Sequence, residues 1–270
     1  MPYRTNVIYR YDGTFDGLMC CVFESFEKRE IPEEITASPE QMSFYEIKDI
    51  LTDYEKAARV SKGIREKISK SAYETVCKAF LTCHEQKELL ILKFLHLGFK
   101  YGKNVMNMLA DDTVNELFKA VRHLERELHL FLGFVRFSSY DGVLVSVIEP
   151  KNIILPLMKN HFCNRLPQET FMIFDKTNRM ALVYRPYEAQ IIPVEELSLP
   201  CANEEELHYR RLWKKFYDTI GIKERYNPKC RMTMMPKRYW KHMTEFAELF
   251  PQNWEEGNKL DSAPNLKLIE

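Results

Sequence analysis

Eleven Lys and Arg residues but only two acids, Asp218 and Glu224, fall between Tyr209 and His242. Aromatic residues are threaded among them: Tyr209, Trp213, Phe216, Tyr217, Tyr226, Tyr239 and Trp240. Cations neutralise phosphates and aromatic faces stack on bases, so the chemistry offered is nucleic-acid binding. The stretch divides in two. In 209–217 the charges share a helical repeat with apolar residues, and they read equally well as the solvated face of a helix. In 222–241 helical spacing fails, because Asn227-Pro228 and Met235-Pro236 interrupt it. A long irregular stretch owes its order to packing or to function. On the functional reading, Arg225, Arg231, Lys237, Arg238 and Lys241, with Asn227 beside them, form the contact surface, and Tyr239 or Trp240 stacks on a base. On the structural reading, Tyr239 and Trp240 pack the segment onto its own domain and the cations pair with neighbouring Glu residues.

Bond-making chemistry has fewer candidates. In 127–137, ELHLFLGFVRF, Glu127 and His129 have the residue types for acid/base work if they face a cleft. Arg136 lies in an otherwise apolar run, where an arginine needs a partner. The alternative is structural, with Glu127 or His129 satisfying a helix end and Arg136 pairing with a carboxylate. Tyr11, Asp12 and Asp16 bracket a strand–helix junction, where the helix dipole favours carboxylates and where an anion could also bind. No metal is expected. Cys20 and Cys21 are adjacent, Cys77 and Cys83 are six apart, and so are His123 and His129, none of which is a zinc spacing. No three cysteines share a short loop, as a radical-SAM iron–sulfur cluster would require. The chain has no P-loop, G-x-G-x-x-G or G-x-S-x-G, which argues against nucleotide hydrolysis and serine acyl transfer. No cofactor is expected.

The elements that must position these residues read as α+β. Residues 6–11 suggest a strand, Asp12-Gly13 a turn, and Thr14 the cap of a helix carrying Phe15, Leu18, Met19, Val22 and Phe26 at helical spacing. Pro32 and Pro39 bracket a loop, and 43–51 suggests a second strand. Residues 53–131 read as helical throughout, most clearly from Asp111-Asp112 onward, where Val114, Leu117, Phe118, Val121, Leu124 and Leu128 form one stripe. The period then changes to two. Phe134–Phe137 and Val143–Ile148 suggest a hairpin across Tyr140-Asp141-Gly142. A short helix is expected at 151–162, a second hairpin from 170–175 and 180–185, and an edge strand at 189–194 because of Pro193. A last helix spans 204–220, and the residues after Trp254 read as a frayed tail. The expectation is one α+β domain over 1–250, helical in its first half and with an antiparallel sheet in its second. It could divide into 1–131 and 132–250, with 251–270 as a tail.

Composition is that of a globular protein, 45% hydrophobic and 29% charged. The 39 basic and 39 acidic residues cancel overall, but the basic stretch is flanked by acidic ones, which weaken its field. Seven cysteines, an odd number without C-x-x-C spacing, read as reduced thiols in a cytoplasmic protein. The N-terminus lacks a signal-peptide pattern. The most apolar run, from Leu89, is interrupted by Lys93 and His96 and is too short to span a bilayer, so no membrane association is expected.

Four stretches carry a resemblance. They are YDGTFDGLMCCVFESFEKREIPEEI, GFVRFSSYDGVLVSVIEP, HFCNRLP and NPKCRMTMMPKRYWKHMTEF, in that order. Together they resemble, over almost the whole chain, a bacterial family known as "probable DNA metabolism protein". Its members occur as the genomic partner of a radical SAM protein similar to spore photoproduct lyase. In other members the domain is fused to a uracil-DNA-glycosylase-like domain. The family's motifs fall on Tyr11 to Phe23, on Glu127, His129 and Gly133 to Phe137, and on Asn227, Pro228, Pro236, Arg238, Tyr239 and Trp240. Four residues after the Asn of the Asn-Pro pair the family usually carries glutamine. Here Arg231 stands there, which removes an amide and adds a phosphate-binding group. The resemblance implies an accessory or substrate-binding protein that acts on DNA with a separate radical SAM enzyme in repair or modification. A glycosylase- or nuclease-like hydrolase using Glu127, His129 and Arg136, and a protein-interaction adaptor, are the alternatives.

Overall fold

The computed structural model describes residues 6–38, 44–199, 202–222, 224 and 227–249, with the backbone alone for 247–249. Arg225, Tyr226 and the expected tail lie outside the described residues. The chain forms two compact units, Met1–Arg126 and Glu127–Glu270.

In the first unit, β1 (Val7–Arg10) is followed by α1 (Phe15–Lys28), capped by Thr14 as expected, whose hydroxyl accepts from Gly17 N. The helix carries the chain back over the sheet, so β2 (Glu34–Thr36) pairs parallel with β1. The sequence reading treats this stretch as loop. A three-residue strand between prolines gives no alternation to read. β3 (Glu46–Asp49) pairs parallel on the other side, giving the order β2-β1-β3. Helices follow as expected: α2 (Tyr54–Gly63) continuing into a π-helical turn, α3 (Lys70–Phe80) and α4 (Lys87–Tyr101). α5 (Asp112–Phe134) starts at Asp111, whose carboxylate accepts from Val114 N. Val7, Tyr9, Leu18, Met19, Phe94, Leu95 and Leu117 are part of one core.

The β1–α1 junction is fixed by a close fit. Asp12 accepts from the backbone and hydroxyl of Thr14 and from Thr52 Oγ1. Partial burial pushes its carboxyl up, but the bonds from Thr52 and Thr14 prevail and hold it below the usual range. A Cβ on Gly17 would stand 2.2 Å from Asp12 Oδ1, so any other residue there would displace that carboxylate from its present bonds. Its bonds make the acidic junction a structural device.

In the second unit, α5 runs through Phe134, so the strand expected at 134–137 is instead the last helical residue and a three-residue connection to β4. β4 (Ser138–Tyr140) and β5 (Val143–Ile148) form a hairpin across the expected turn, with its second strand as expected and its first strand four residues later. Asp141 and Gly142 both have positive φ, as a tight two-residue hairpin turn requires. α6 (Leu155–Arg165) then returns the chain to the same end of the sheet, and β6 (Phe171–Asp175) pairs parallel with β5. This corrects the expected antiparallel sheet: it is mixed, because a helix rather than a turn joins the two hairpins. β7 (Met180–Arg185) and β8 (Glu188–Pro193) complete the order β4-β5-β6-β7-β8, with Pro193 on the edge as expected. Phe162 of α6, Phe171, Ile173 and Leu182 are buried in this unit. α7 (Glu204–Thr219) and α8 (Pro228–Met234) follow, then 3-10 turns at Lys237–His242 and Thr244–Leu249.

Among the described residues no helix is long and apolar enough to cross a membrane.

Candidate functional site

Glu127, His129 and Arg136 take separate roles. Glu127 is 2% exposed. It accepts from the backbone N–H of Lys151 and Asn152, from Asn152 Nδ2 at 2.6 Å, and from Arg238 Nη2 at 3.2 Å. It therefore pins the β5–α6 loop. His129 is exposed on α5. Arg136 closes the end of α5, donating from Nη1 to Gly133 O and Val135 O. Its other nitrogens form a two-point pair with Glu245, at 3.2 and 2.8 Å. Burial pushes the Glu245 carboxyl up, but Arg136 outweighs it and holds the group below its ordinary value. The three residues thus do not converge on one cleft.

The basic segment 227–242 is a strap. Asn227 caps α8 by accepting from Cys230 N. Arg231 lies 5.1 Å over the Trp240 ring. Tyr239 and Trp240 are each 5% exposed. Tyr239 meets Phe131 edge-on at 4.9 Å. Trp240 stacks on Phe246 at 4.4 Å and donates to Met235 O. The two rings expected to stack on bases are therefore packed inward. Arg238 pairs with Glu127, Lys241 with Glu149 at 2.6 Å, and His242 also meets Glu149. Burial pushes Glu149 up, but Lys241 and His242 more than offset this and hold it below its ordinary value. Burial keeps His242 below its usual value despite Glu149. Lys237 is exposed. A pairing between the segment's cations and carboxylates is present in the sequence only as composition. Glu127 and Glu149 come from more than 90 residues earlier, which local reading does not reach.

α7 is disposed the opposite way. Glu206 is buried and accepts from Ser139 N at 2.9 Å and from Arg210 Nε at 2.7 Å. Arg210 Nη2 donates to Ser138 Oγ. This polar pair bolts the helix to β4. One side of the helix is thereby committed inward, and Tyr209, Leu212, Phe216 and Ile220 on another side are 59, 48, 51 and 59% exposed. Arg211, Lys215 and Asp218 are exposed as well, so the apolar residues that would ordinarily be covered on an amphipathic helix stay open beside its inward side. Trp213 sits between the two sides. Its Nε1 donates to Glu245, its ring stacks with Phe216 at 5.6 Å, and the Arg136 guanidinium lies 5.4 Å from it.

Beside α7 runs a groove of about 450 Å³. Gly133, Arg136 and Phe137 line it from the end of α5, Arg165 from the end of α6, Glu206, Tyr209, Arg210 and Trp213 from α7, and Thr244 from the last turn. Three guanidinium groups thus meet two partly exposed rings. Among the described residues that line it there is no His, Cys or Ser, and Glu206 already holds two partners. The lining is suited to holding a planar, anionic ligand. The sequence reading takes up Arg136 and the α7 rings but gives Arg165 no role, although it lies in the HFCNRLP stretch that carries the resemblance. A larger concavity, about 560 Å³, lies in the first unit, walled by Phe26, Ile31, Leu97 and Phe99. Its His96 is pushed down to about 4 by burial and bonds to Ser25 Oγ, whose own hydroxyl is turned to Glu30 O. That pair is an internal tie.

The family model for a domain of unknown function (DUF4130) matches residues 85–245. No curated protein matches the chain.

Proposed function

We propose that this chain, which belongs to the DUF4130 family, binds nucleic acid along the groove beside α7. In this reading it is the substrate-binding or accessory partner of a separate radical SAM enzyme in DNA repair or modification. One observation carries the binding: Arg136, Arg165 and Arg210 share a groove with the exposed rings of Tyr209 and Trp213. Guanidinium groups hold phosphate, and rings accept any base. The DNA setting and the radical SAM partner rest on the resemblance of the sequence motifs, not on the groove. A hydrolase built on Glu127 is less well supported, since that carboxylate is buried beneath four hydrogen-bond donors.

Fluorescence anisotropy with single- and double-stranded oligonucleotides tests the reading. Binding is expected at low salt and weakens as salt rises. Tyr209→Ala, at an exposed position, weakens it by roughly 1–3 kcal/mol. No binding at low salt, or binding indifferent to this substitution, overturns the reading. The adaptor reading gains from the outward Leu212, Phe216 and Ile220, since an exposed apolar face rimmed by charge marks many protein contacts. Ile220→Ser separates the two, because it spoils an apolar docking face and leaves the groove intact.

A further inference from the structure

We propose that the groove holds a single nucleotide unit, one base with one phosphate, rather than a length of strand. The inference rests on the nucleic-acid reading and narrows it.

Charge sets the limit. Arg136 is held by both oxygens of Glu245, and Arg210 by Glu206. Both carboxylates are buried, so each pair brings little net charge to a ligand. Arg165 is the exception. It is exposed, and no ion pair to it occurs among the described residues. Three guanidinium groups set against two carboxylates leave charge for one phosphate.

Shape agrees with charge. At about 450 Å³ the groove falls in the range of small-ligand pockets, about 300–1,000 Å³. Tyr209 and Trp213 stand one helical turn apart on α7, so their rings are neighbours along one side of the helix. They offer a stacking place for one base. Phe216, stacked on Trp213, supports that platform from beyond the groove. Gly133, which also lines the groove, has nothing within 4 Å of where a Cβ would stand, so a ligand can approach the backbone there. The same chemistry could come from a free mononucleotide or from the end of a strand.

Full-length protein is titrated calorimetrically with dAMP, deoxyadenosine and inorganic phosphate. In parallel, a labelled single-stranded 12-mer is followed by anisotropy across a salt series. dAMP is expected to bind at least tenfold more tightly than deoxyadenosine or phosphate. Arg165→Ala and Tyr209→Ala, both at exposed positions, each weaken dAMP at least tenfold with unchanged circular dichroism. The 12-mer binds with a log–log salt slope near −0.7, one phosphate's worth for a single strand, and dAMP displaces it. Binding of dAMP without the 12-mer keeps the one-nucleotide site, assigns it to free nucleotides and ends the nucleic-acid reading. A slope of about −2 or steeper, with no displacement by dAMP, overturns the one-nucleotide site and leaves the nucleic-acid reading standing. No binding of either ligand overturns both.

Discussion

Two neighbouring stretches that share cations and large rings dispose of those rings in opposite ways. α7 and the strap at 237–242 both mix cations with large rings. In the strap, Tyr239 and Trp240 are buried and Arg238, Lys241 and His242 are spent on Glu127 and Glu149. In α7, Glu206 and Arg210 take the inward side, so Tyr209, Leu212, Phe216 and Ile220 face out. The difference lies in which charged groups find buried partners elsewhere in the unit. Where distant carboxylates wait, the cations pair with them at the surface while their rings go in, and the segment becomes structure. Where a helix carries its own carboxylate to a sheet edge, its rings are left for a ligand. A basic, aromatic composition therefore identifies a region but not a binding surface.

The sharpest way to break this contrast is Trp240→Ala. Removing a buried ring that stacks on Phe246 should cost the second unit about 3–5 kcal/mol in urea unfolding followed by circular dichroism. A cost below about 1 kcal/mol would mean that the strap is not a core element. Next in size is Arg136→Ala, expected to cost about 3 kcal/mol, because it leaves the buried Glu245 carboxylate without its cation. The deficit should depend on pH. Glu245 in the fold sits below its ordinary value of 4.5, so its pair stabilises fully above that pH and fades as pH falls through the lowered value. The gap between parent and variant, measured by the same unfolding at pH 7 and pH 3.5, should therefore narrow in acid. A gap that widens would contradict the pairing.

Asp175 provides a smaller effect of opposite sign. It is fully buried and raised to about 6, by burial first, against bonds from Asn178. A carboxyl raised in the fold favours the native state at low pH and costs stability as pH rises from about 4 through 6. Asp175→Asn should flatten that part of the profile by on the order of 2 kcal/mol, and an unchanged slope would count against the raised value. The smallest effect belongs to α7. Phe216→Ser should alter stability by no more than about 0.5 kcal/mol. A loss above about 1.5 kcal/mol would show that the stripe is covered, and the contrast with the strap would collapse.

Local pattern made most elements legible. Thr14 announces α1, the apolar stripe from Val114 announces α5, and Asp141-Gly142 announces the β4–β5 hairpin. The α+β class follows from the change of period after α5. What escaped is pairing at a distance. Nothing around Glu34–Thr36 marks it as a strand until β1 lies beside it, and the parallel β5–β6 pair follows only from α6 as a crossover. At the end of α5, Phe134–Phe137 looks like a strand because Val135 and Phe137 alternate with Arg136. Its backbone is instead closed by Arg136, whose partner Glu245 is 109 residues away. The same blindness governs the site. The aromatic and cationic content was visible, but the inward turn of Tyr239 and Trp240 depends on Phe131, Phe246 and Glu127. Arg165 gains meaning only when the end of α6 comes to lie along the α7 groove.

The strap also sets a timetable for synthesis. Glu127 waits for Arg238, which is made 111 residues later, and Phe131 waits for Tyr239. At about 5–20 residues per second the interval is roughly 5–20 s. Through it the nascent chain carries an acid that lacks its cation, and an uncovered Phe131, on a helix end that is otherwise complete. A stop codon shortly before Arg238 would make that transient state permanent. Such a truncated product would retain every strand of the second unit and still be expected to aggregate.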